Sequence, residues 1–262
     1  MSHDSPLTSC LMPSGNNPAS AARAVLCFQQ QLWPNKELVI IDYDRETITP
    51  LLDDLPDKEL QYIRYTEDKI TSPGAVWNKA LEHAKGEFVI HWEPSDWHHP
   101  DRINRQAGLL LDGYQGSRIL GTLLHLDHPD FVHHPYVDLP SGGYSGSMMY
   151  RNRDSIRYPV KKTRNDHLFL SQWDKGEIAL MESDLSWLIV RTLSGERRSR
   201  AYKKFISGYR NSAGDLARLA WVKLRGRNMV SHPRFRLSLQ ARESFTRYLR
   251  ESKEFGLITS IS

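Results

Sequence analysis

Short apolar runs alternate with longer stretches of helical periodicity along the first two-thirds of the chain. Residues 7–12, 38–41, 62–65 and 88–92 are predominantly apolar and have the length of buried strands. Between them, apolar residues fall three and four apart, as at Ala21, Val25 and Phe28, and again at Val76, Ala80, Leu81 and Ala84. Helix starts are marked at Asn17-Pro18, Thr49-Pro50 and Ser72-Pro73. At each, a capping side chain precedes a proline whose missing N–H and fixed φ suit the first helical turn. Trp33-Pro34-Asn35 ends the first helix and Gly86 stops the third. A helix from Pro100, strands at 118–126 and 148–151, a short segment 168–173 opened by Asp166 and a last strand at 185–190 complete the pattern. Such alternation predicts an α/β fold with a mostly parallel central sheet and right-handed crossovers.

Function turns on residues 88–103. The apolar run ends at Trp92 and passes into Glu93-Pro94-Ser95-Asp96 before the helix from Pro100. Open α/β sheets bind ligands just beyond the carboxyl ends of their strands, so these acids are candidate ligand contacts. The same residue types also make an ordinary turn and helix start. No glycine-rich phosphate loop follows the first strand, because Pro13-Ser14-Gly15-Asn16 matches neither nucleotide fingerprint.

Composition and charge change the picture in two places. No apolar run reaches membrane-span length, and the first residues carry neither a basic flank nor an apolar h-region, so a soluble, cytoplasmic chain is expected. Cys10 and Cys27 sit among apolar residues and read as buried, reduced thiols. Charge is uneven along the chain. Residues 196–262 carry 16 Lys+Arg against 5 Asp+Glu, whereas residues 1–195 carry 19 against 26. The expected division is an α/β domain at 1–195 and a basic, mainly helical C-terminal extension at 196–262. For that extension, packing with a solvated basic face ranks first and docking on an anionic membrane surface second. Nucleic acid ranks last, for want of a binding signature.

The order of these segments resembles the family 2 glycosyltransferases, of GT-A fold, over roughly residues 6–191. Residues 8–16 (Thr-Ser-Cys-Leu-Met-Pro-Ser-Gly-Asn) are similar to that family's opening strand and P-T-Y-N turn. Residues 29–42, running through Trp33-Pro34-Asn35 to Asp42, resemble Q-x-Y-P-N-x-E-L-I-V-V-D. Trp77-Asn78-Lys79-Ala80 with Ala84-Lys85-Gly86-Glu87 matches R-N-x-A and A-x-G-E. Residues 92–106 follow W-D-D-D-D-W-x-x-P-x-R-I-x-x-Q, and 143–151 with Asn165-Asp166 stand where the acceptor-side loop and the E-D pair belong. The matches share one order and spacing, which makes the set specific.

The resemblance implies a GT-A, Rossmann-like sandwich that takes a nucleotide-diphosphate sugar as donor. Pro13, Ser14, Asn16, Asp42, Asn78, Glu93 and Ser95 would contact the donor, and Asp96 with Glu93 would ligate a divalent cation, Mn²⁺ or Mg²⁺. Asp166 would be the catalytic base of an inverting transfer to an acceptor hydroxyl, with Trp97, Gly143 and Asn165 on the acceptor and sugar side. A glycan or lipid-linked acceptor in surface polysaccharide synthesis, at the inner face of a membrane, fits the basic extension. The chain departs from the family pattern at Gly15, Trp77, Glu93, Ser95 and Asn165. These departures leave a second reading, an inactive relative that binds nucleotide sugar or glycan as an assembly partner.

Seven of the 11 histidines lie between His91 and His134, but without metal-ligand spacing, so solvated or packed roles are expected for them. Trp92 and Trp173 are expected to be packing residues.

Overall fold

A computed structural model of the 262-residue chain describes residues 5–15, 17–43, 48–49, 52–53, 55–65, 72–140, 143–161, 166–174, 176–193, 202–205, 207, 213–226 and 229–259. In chain order its strands are β1 (Thr8–Ser14), β2 (Lys36–Asp42), β3 (Leu60–Arg64), β4 (Phe88–His91), β5 (Asp96–His98), β6 (Gly116–Ile119), β7 (Thr122–Leu126), β8 (Tyr136–Asp138), β9 (Met148–Arg151), β10 (Ile178–Met181) and β11 (Ile189–Leu193). The helices are α1 (Pro18–Gln29), α2 (Pro73–His83), α3 (Arg102–Leu111), α4 (Asp166–Leu170), α5 (Ala213–Leu224) and α6 (Leu239–Glu254). Two compact units divide the chain: residues 1–120 with 140–181, and residues 121–139 with 182–262.

The first unit is built on a seven-stranded sheet in the order β10-β6-β9-β4-β1-β2-β3. Only β9 runs against its neighbours, and the remaining pairs are parallel. The sheet is therefore the mostly parallel one that the sequence predicts. Parallel register puts Ser14 opposite Asp42 and Asp42 opposite Arg64, so β1, β2 and β3 end on one level. Two of the crossover helices begin as the sequence predicts. Asn17 accepts from the N–H of Ser20 at 3.0 Å and Ser72 from that of Ala75 at 3.2 Å, with proline next in each case. On one face of the sheet, Leu11, Val39, Ile41 and Val89 pack with Trp77, Tyr150 and Phe169. That selection of every second strand residue is what the pleat imposes. Burial pushes the Cys10 thiol well above its usual range, which makes it an inert core residue.

The second unit holds β11, β7 and β8 side by side, with β8 antiparallel to β7. Its core gathers Leu124, Leu126, Phe131, Tyr136, Phe205 and Leu219. The buried His125 ring lies 2.7 Å from the Tyr248 hydroxyl of α6, and Asp127 accepts from the N–H and hydroxyl of Thr259. The basic extension from 196 thus falls in a unit that also includes 121–139 and 182–195.

The structure differs from the predicted elements at several points. The strand expected over 118–126 is two strands, with the boundary between the units at Leu120-Gly121. The strand expected at 185–190 is a 3-10 turn, Ser183–Leu188, followed by β11, because buried Trp187 and Leu188 satisfy an apolar core in either conformation. β5, β8 and β10 lie outside the predicted strands: β5 and β8 have three residues each, and β10 alternates buried and exposed positions over only four. The helix start expected at Thr49-Pro50 falls on a stretch where Pro50 is outside the described residues.

Candidate active site

Three loops of the first unit bring acidic side chains to the carboxyl ends of the parallel strands. Asp42 closes β2 and is completely buried. Strand periodicity puts Tyr62 and Arg64 on one face of β3, and both reach Asp42 Oδ2: the hydroxyl of Tyr62 donates at 2.5 Å and Nη1 of Arg64 at 2.8 Å. The N–H of Ile48 donates to the same oxygen at 3.4 Å.

Beyond β4 the chain turns sharply, with the Asp96 N–H donating to the Glu93 carbonyl at 3.0 Å. Buried Arg23 of α1 pins this turn through its Nη2, which donates to the Ser95 carbonyl at 2.8 Å. The Trp92 indole N–H ties the strand end to the same helix, donating to the Ala24 carbonyl at 2.9 Å. Asp96 is buried, and its Oδ2 accepts from the Tyr144 hydroxyl. Fully buried Arg102, in the first turn of α3, donates to His98 Nδ1 at 2.6 Å, to Gln106 Oε1 at 3.1 Å and to the Gly146 carbonyl at 2.8 Å. A guanidinium has no acceptor, so His98 must accept at Nδ1 and carry its proton on Nε2, which faces the Glu93 carbonyl at 3.2 Å. Burial and the neighbouring Arg102 charge hold the His98 pKa well below its ordinary value, so the ring is neutral. Burial also lowers the Arg102 pKa to about 10, opposed mainly by the nearby Asp96 carboxylate.

Asp166 opens α4. Its Oδ1 accepts from the Ser145 hydroxyl at 2.9 Å and its Oδ2 from the Ser145 N–H at 3.3 Å. Asp96 and Asp166, 70 residues apart in sequence, are therefore held by the consecutive residues Tyr144 and Ser145, whose Cα atoms lie about 3.8 Å apart. The loop needs glycine at both flanks. Gly143 has φ +77°, and a Cβ at Gly146 would lie 2.3 Å from the Tyr144 ring. Asp166 and Ser145 line a narrow cleft together with Gly74, Trp77, Tyr158 and Phe169. Its floor is an aromatic stack, with the Tyr158 and Phe169 rings 4.3 Å apart and Trp77 5.1 Å from Tyr158.

The other candidate residues divide. Pro13 and Ser14 end β1 at the same edge as Asp42. Glu93 is half-buried and Ser95 exposed at the turn, while Gly143 leads into the Tyr144-Ser145 loop. Asn16 and Asn165 lie outside the described residues. Two expectations need correction. Trp97 is completely buried, so it presents no face to a sugar. Asn78 gives both ends of its amide to the Tyr158 main chain, at 2.8 and 3.1 Å, and so positions the aromatic floor. Trp92 and Trp173 are packing residues as expected, edge-on to Phe28 and Phe169 respectively. Sequence reasoning missed Arg23, Tyr62, Arg64, Arg102, Tyr144 and Ser145. The i,i+4 spacing of Arg102 and Gln106, and the shared face of Tyr62 and Arg64, were the available signals.

Among the described residues, no three His, Cys, Asp or Glu side chains converge as a metal site would require. The turn offers two hard-oxygen side chains, Glu93 and Asp96. This donor set suits Mg²⁺ or Mn²⁺ arriving with a diphosphate, since such ions commonly take one or two carboxylates and complete their shell from phosphate and water.

The family described as Glycosyl transferase family 2 matches residues 9–168. An uncharacterized glycosyltransferase of Haemophilus influenzae is 24% identical over 110 residues, 42% of this chain and 44% of that protein, so the match spans under half of the relative's length. Among solved structures, S. aureus TarS 1-349 superposes with a TM-score of 0.55 at 15% identity, over 96% of this chain and 83% of that one. Mannosyltransferase PcManGT from Pyrobaculum calidifontis, in complex with GDP-Man and Mn²⁺, gives 0.58 at 13% identity, over 98% and 74%. At such identity the superpositions establish the fold alone, which is GT-A. The sequence match covers more than half of the chain: it belongs to Glycosyl transferase family 2.

Proposed function

We propose that the protein is an inverting glycosyltransferase that moves a sugar from a nucleotide-diphosphate donor to an acceptor hydroxyl. The observation that carries this reading is the pairing of Asp96 and Asp166 on the consecutive residues Tyr144 and Ser145, beside an aromatic-floored cleft. Asp166 takes the acceptor proton. The freed oxygen then attacks the anomeric carbon from the side opposite the diphosphate, and the anomeric C–O bond breaks with its electron pair leaving on the diphosphate. One displacement inverts the configuration, and a positioned base contributes about 10²–10⁴-fold. Pro13 and Ser14, at the strand edge that Asp42 closes, would hold the nucleoside, and the packed rings of Trp77, Tyr158 and Phe169 back the cleft beside Asp166. Glu93 and Asp96 would hold the divalent cation, which neutralises charge on the leaving diphosphate.

Structural neighbours have been solved with UDP, with UDP-GlcNAc and with GDP-Man and Mn²⁺, which makes these nucleotide sugars the donors to try first. For the acceptor we favour a glycan or lipid-linked saccharide used in surface polysaccharide assembly at the inner face of a membrane. Among the described residues no helix is long and apolar enough to cross a membrane. The rival reading is an inactive relative that retains nucleotide-sugar binding. It is favoured by the Tyr144 hydroxyl on Asp96 and by Ser95 standing where the family carries an acid. Hydrolysis and transfer with UDP-GlcNAc and GDP-Man, with and without Mn²⁺, separate the two. Turnover in wild type that Asp166→Asn abolishes supports catalysis, whereas binding without turnover across the donor panel supports the rival.

A further inference from the structure

Helix α5 turns apolar surface outward. Leu219 and Val222 are buried, whereas Leu216, Trp221 and Leu224 are 50%, 57% and 80% exposed. At about 100° per residue, Leu216, Ala220, Ala213, Leu224, Ala217 and Trp221 follow one another around a single arc, and the three alanines are exposed as well. An ordinary surface helix points charge, not a continuous apolar arc, at water. α6, in the same unit, keeps the ordinary pattern: Phe245 and Tyr248 are buried while Arg242 and Glu243 face solvent. Exposed Arg218 and Arg225 border the arc on its Trp221 side, and the Arg225 guanidinium lies 4.3 Å from the centre of the Trp221 ring.

We propose that this face of α5 docks on an anionic lipid surface. Tryptophan and leucine on one face with arginine at its margin is the composition of helices that lie in the membrane interface, where the rings enter the headgroup boundary and the guanidinium groups meet phosphate. Charge complementarity extends beyond the helix, because residues 196–262 hold 16 Lys+Arg against 5 Asp+Glu. A second copy of the chain suits the face less well. One 12-residue helix offers far less than the roughly 800 Å² per partner of a stable interface. The inference deepens the transferase reading by naming the surface at which transfer occurs. Vesicle binding does not read turnover, so either can fail without the other.

The test is co-sedimentation of the full chain with phosphatidylcholine vesicles, with and without phosphatidylglycerol, at low and high salt. Wild type is expected to sediment with the anionic vesicles only, and less so at high salt. Leu216→Ser, Trp221→Ser and Leu224→Ser combined should weaken binding by about a hundredfold. Arg218→Gln with Arg225→Gln should weaken it about 25-fold, near fivefold per lost charge. All five residues are exposed, and an unchanged circular dichroism spectrum would confirm that the variants fold. Equal binding to neutral vesicles, binding untouched by the triple substitution, or no vesicle binding at all would overturn the proposal. A concentration-dependent dimer in sedimentation velocity that the triple substitution abolishes, without vesicle binding, would assign the face to a second copy instead.

Discussion

Asp42 and Asp166 are the same functional group in opposite settings. Asp42 is sealed, and one of its oxygens takes donors from Tyr62, Arg64 and Ile48. Asp166 is half-buried at the first turn of a short helix, is held by the hydroxyl and N–H of Ser145, and opens on the cleft. A carboxylate crowded by a guanidinium and a phenol has its charge dispersed, which suits it to hold its surroundings in place. A carboxylate oriented by a neighbouring loop at the edge of a cleft is placed to receive a proton. The difference teaches that an acid's role here is set by who donates to it and what it faces.

The most damaging way to break the contrast is to remove the wall that carries Asp96. Arg102→Leu leaves His98, Gln106 and the Gly146 carbonyl without their buried donor, and should lower unfolding free energy by about 3–5 kcal/mol in urea titrations. The His98 ring gives a smaller, pH-dependent effect. Folding keeps it neutral, while in the unfolded chain it binds a proton below about pH 6.5. Stability attributable to His98 is therefore complete above that pH and is lost as pH falls, by about 1.4 kcal/mol per unit, down to the folded-state pKa. His98→Gln can still accept from Arg102 and donate to Glu93, so wild type minus variant should show this slope in denaturation from pH 7 to 5. Ser145→Ala sharpens the contrast with the least disturbance. It should change stability by about 1 kcal/mol or less and kcat about tenfold, with donor affinity unchanged, because it removes the hydroxyl that orients Asp166.

Where local chemistry dictates structure, the sequence is readable. Asn17-Pro18 and Ser72-Pro73 start helices because cap and proline act within four residues, and β1, β2 and β4 are long enough to show their apolar character. The acids of the site are legible for the same reason, since they follow buried strands or open a helix. Their partners are not. Tyr144 lies 48 residues from Asp96, and Tyr62 lies 20 from Asp42, so only the folded sheet brings them together. Trp97 shows the complementary failure: an aromatic beside an acidic turn suits a sugar platform, but β5 carries it into the interior. Strands of three residues, such as β5 and β8, leave no period to read.

The most direct test compares Asp42→Asn with Asp166→Asn in one set of assays: urea unfolding, nucleotide-sugar binding by calorimetry, and turnover with UDP-GlcNAc and GDP-Man. Asp166→Asn is expected to unfold within about 1 kcal/mol of wild type, bind donor within about threefold, and lose about 10²–10⁴-fold in kcat. Asp42→Asn should instead lose about 2 kcal/mol of stability and weaken donor binding. Full turnover by Asp166→Asn, or destabilisation as large as that of Asp42→Asn, would contradict the assignment of Asp166 as the base.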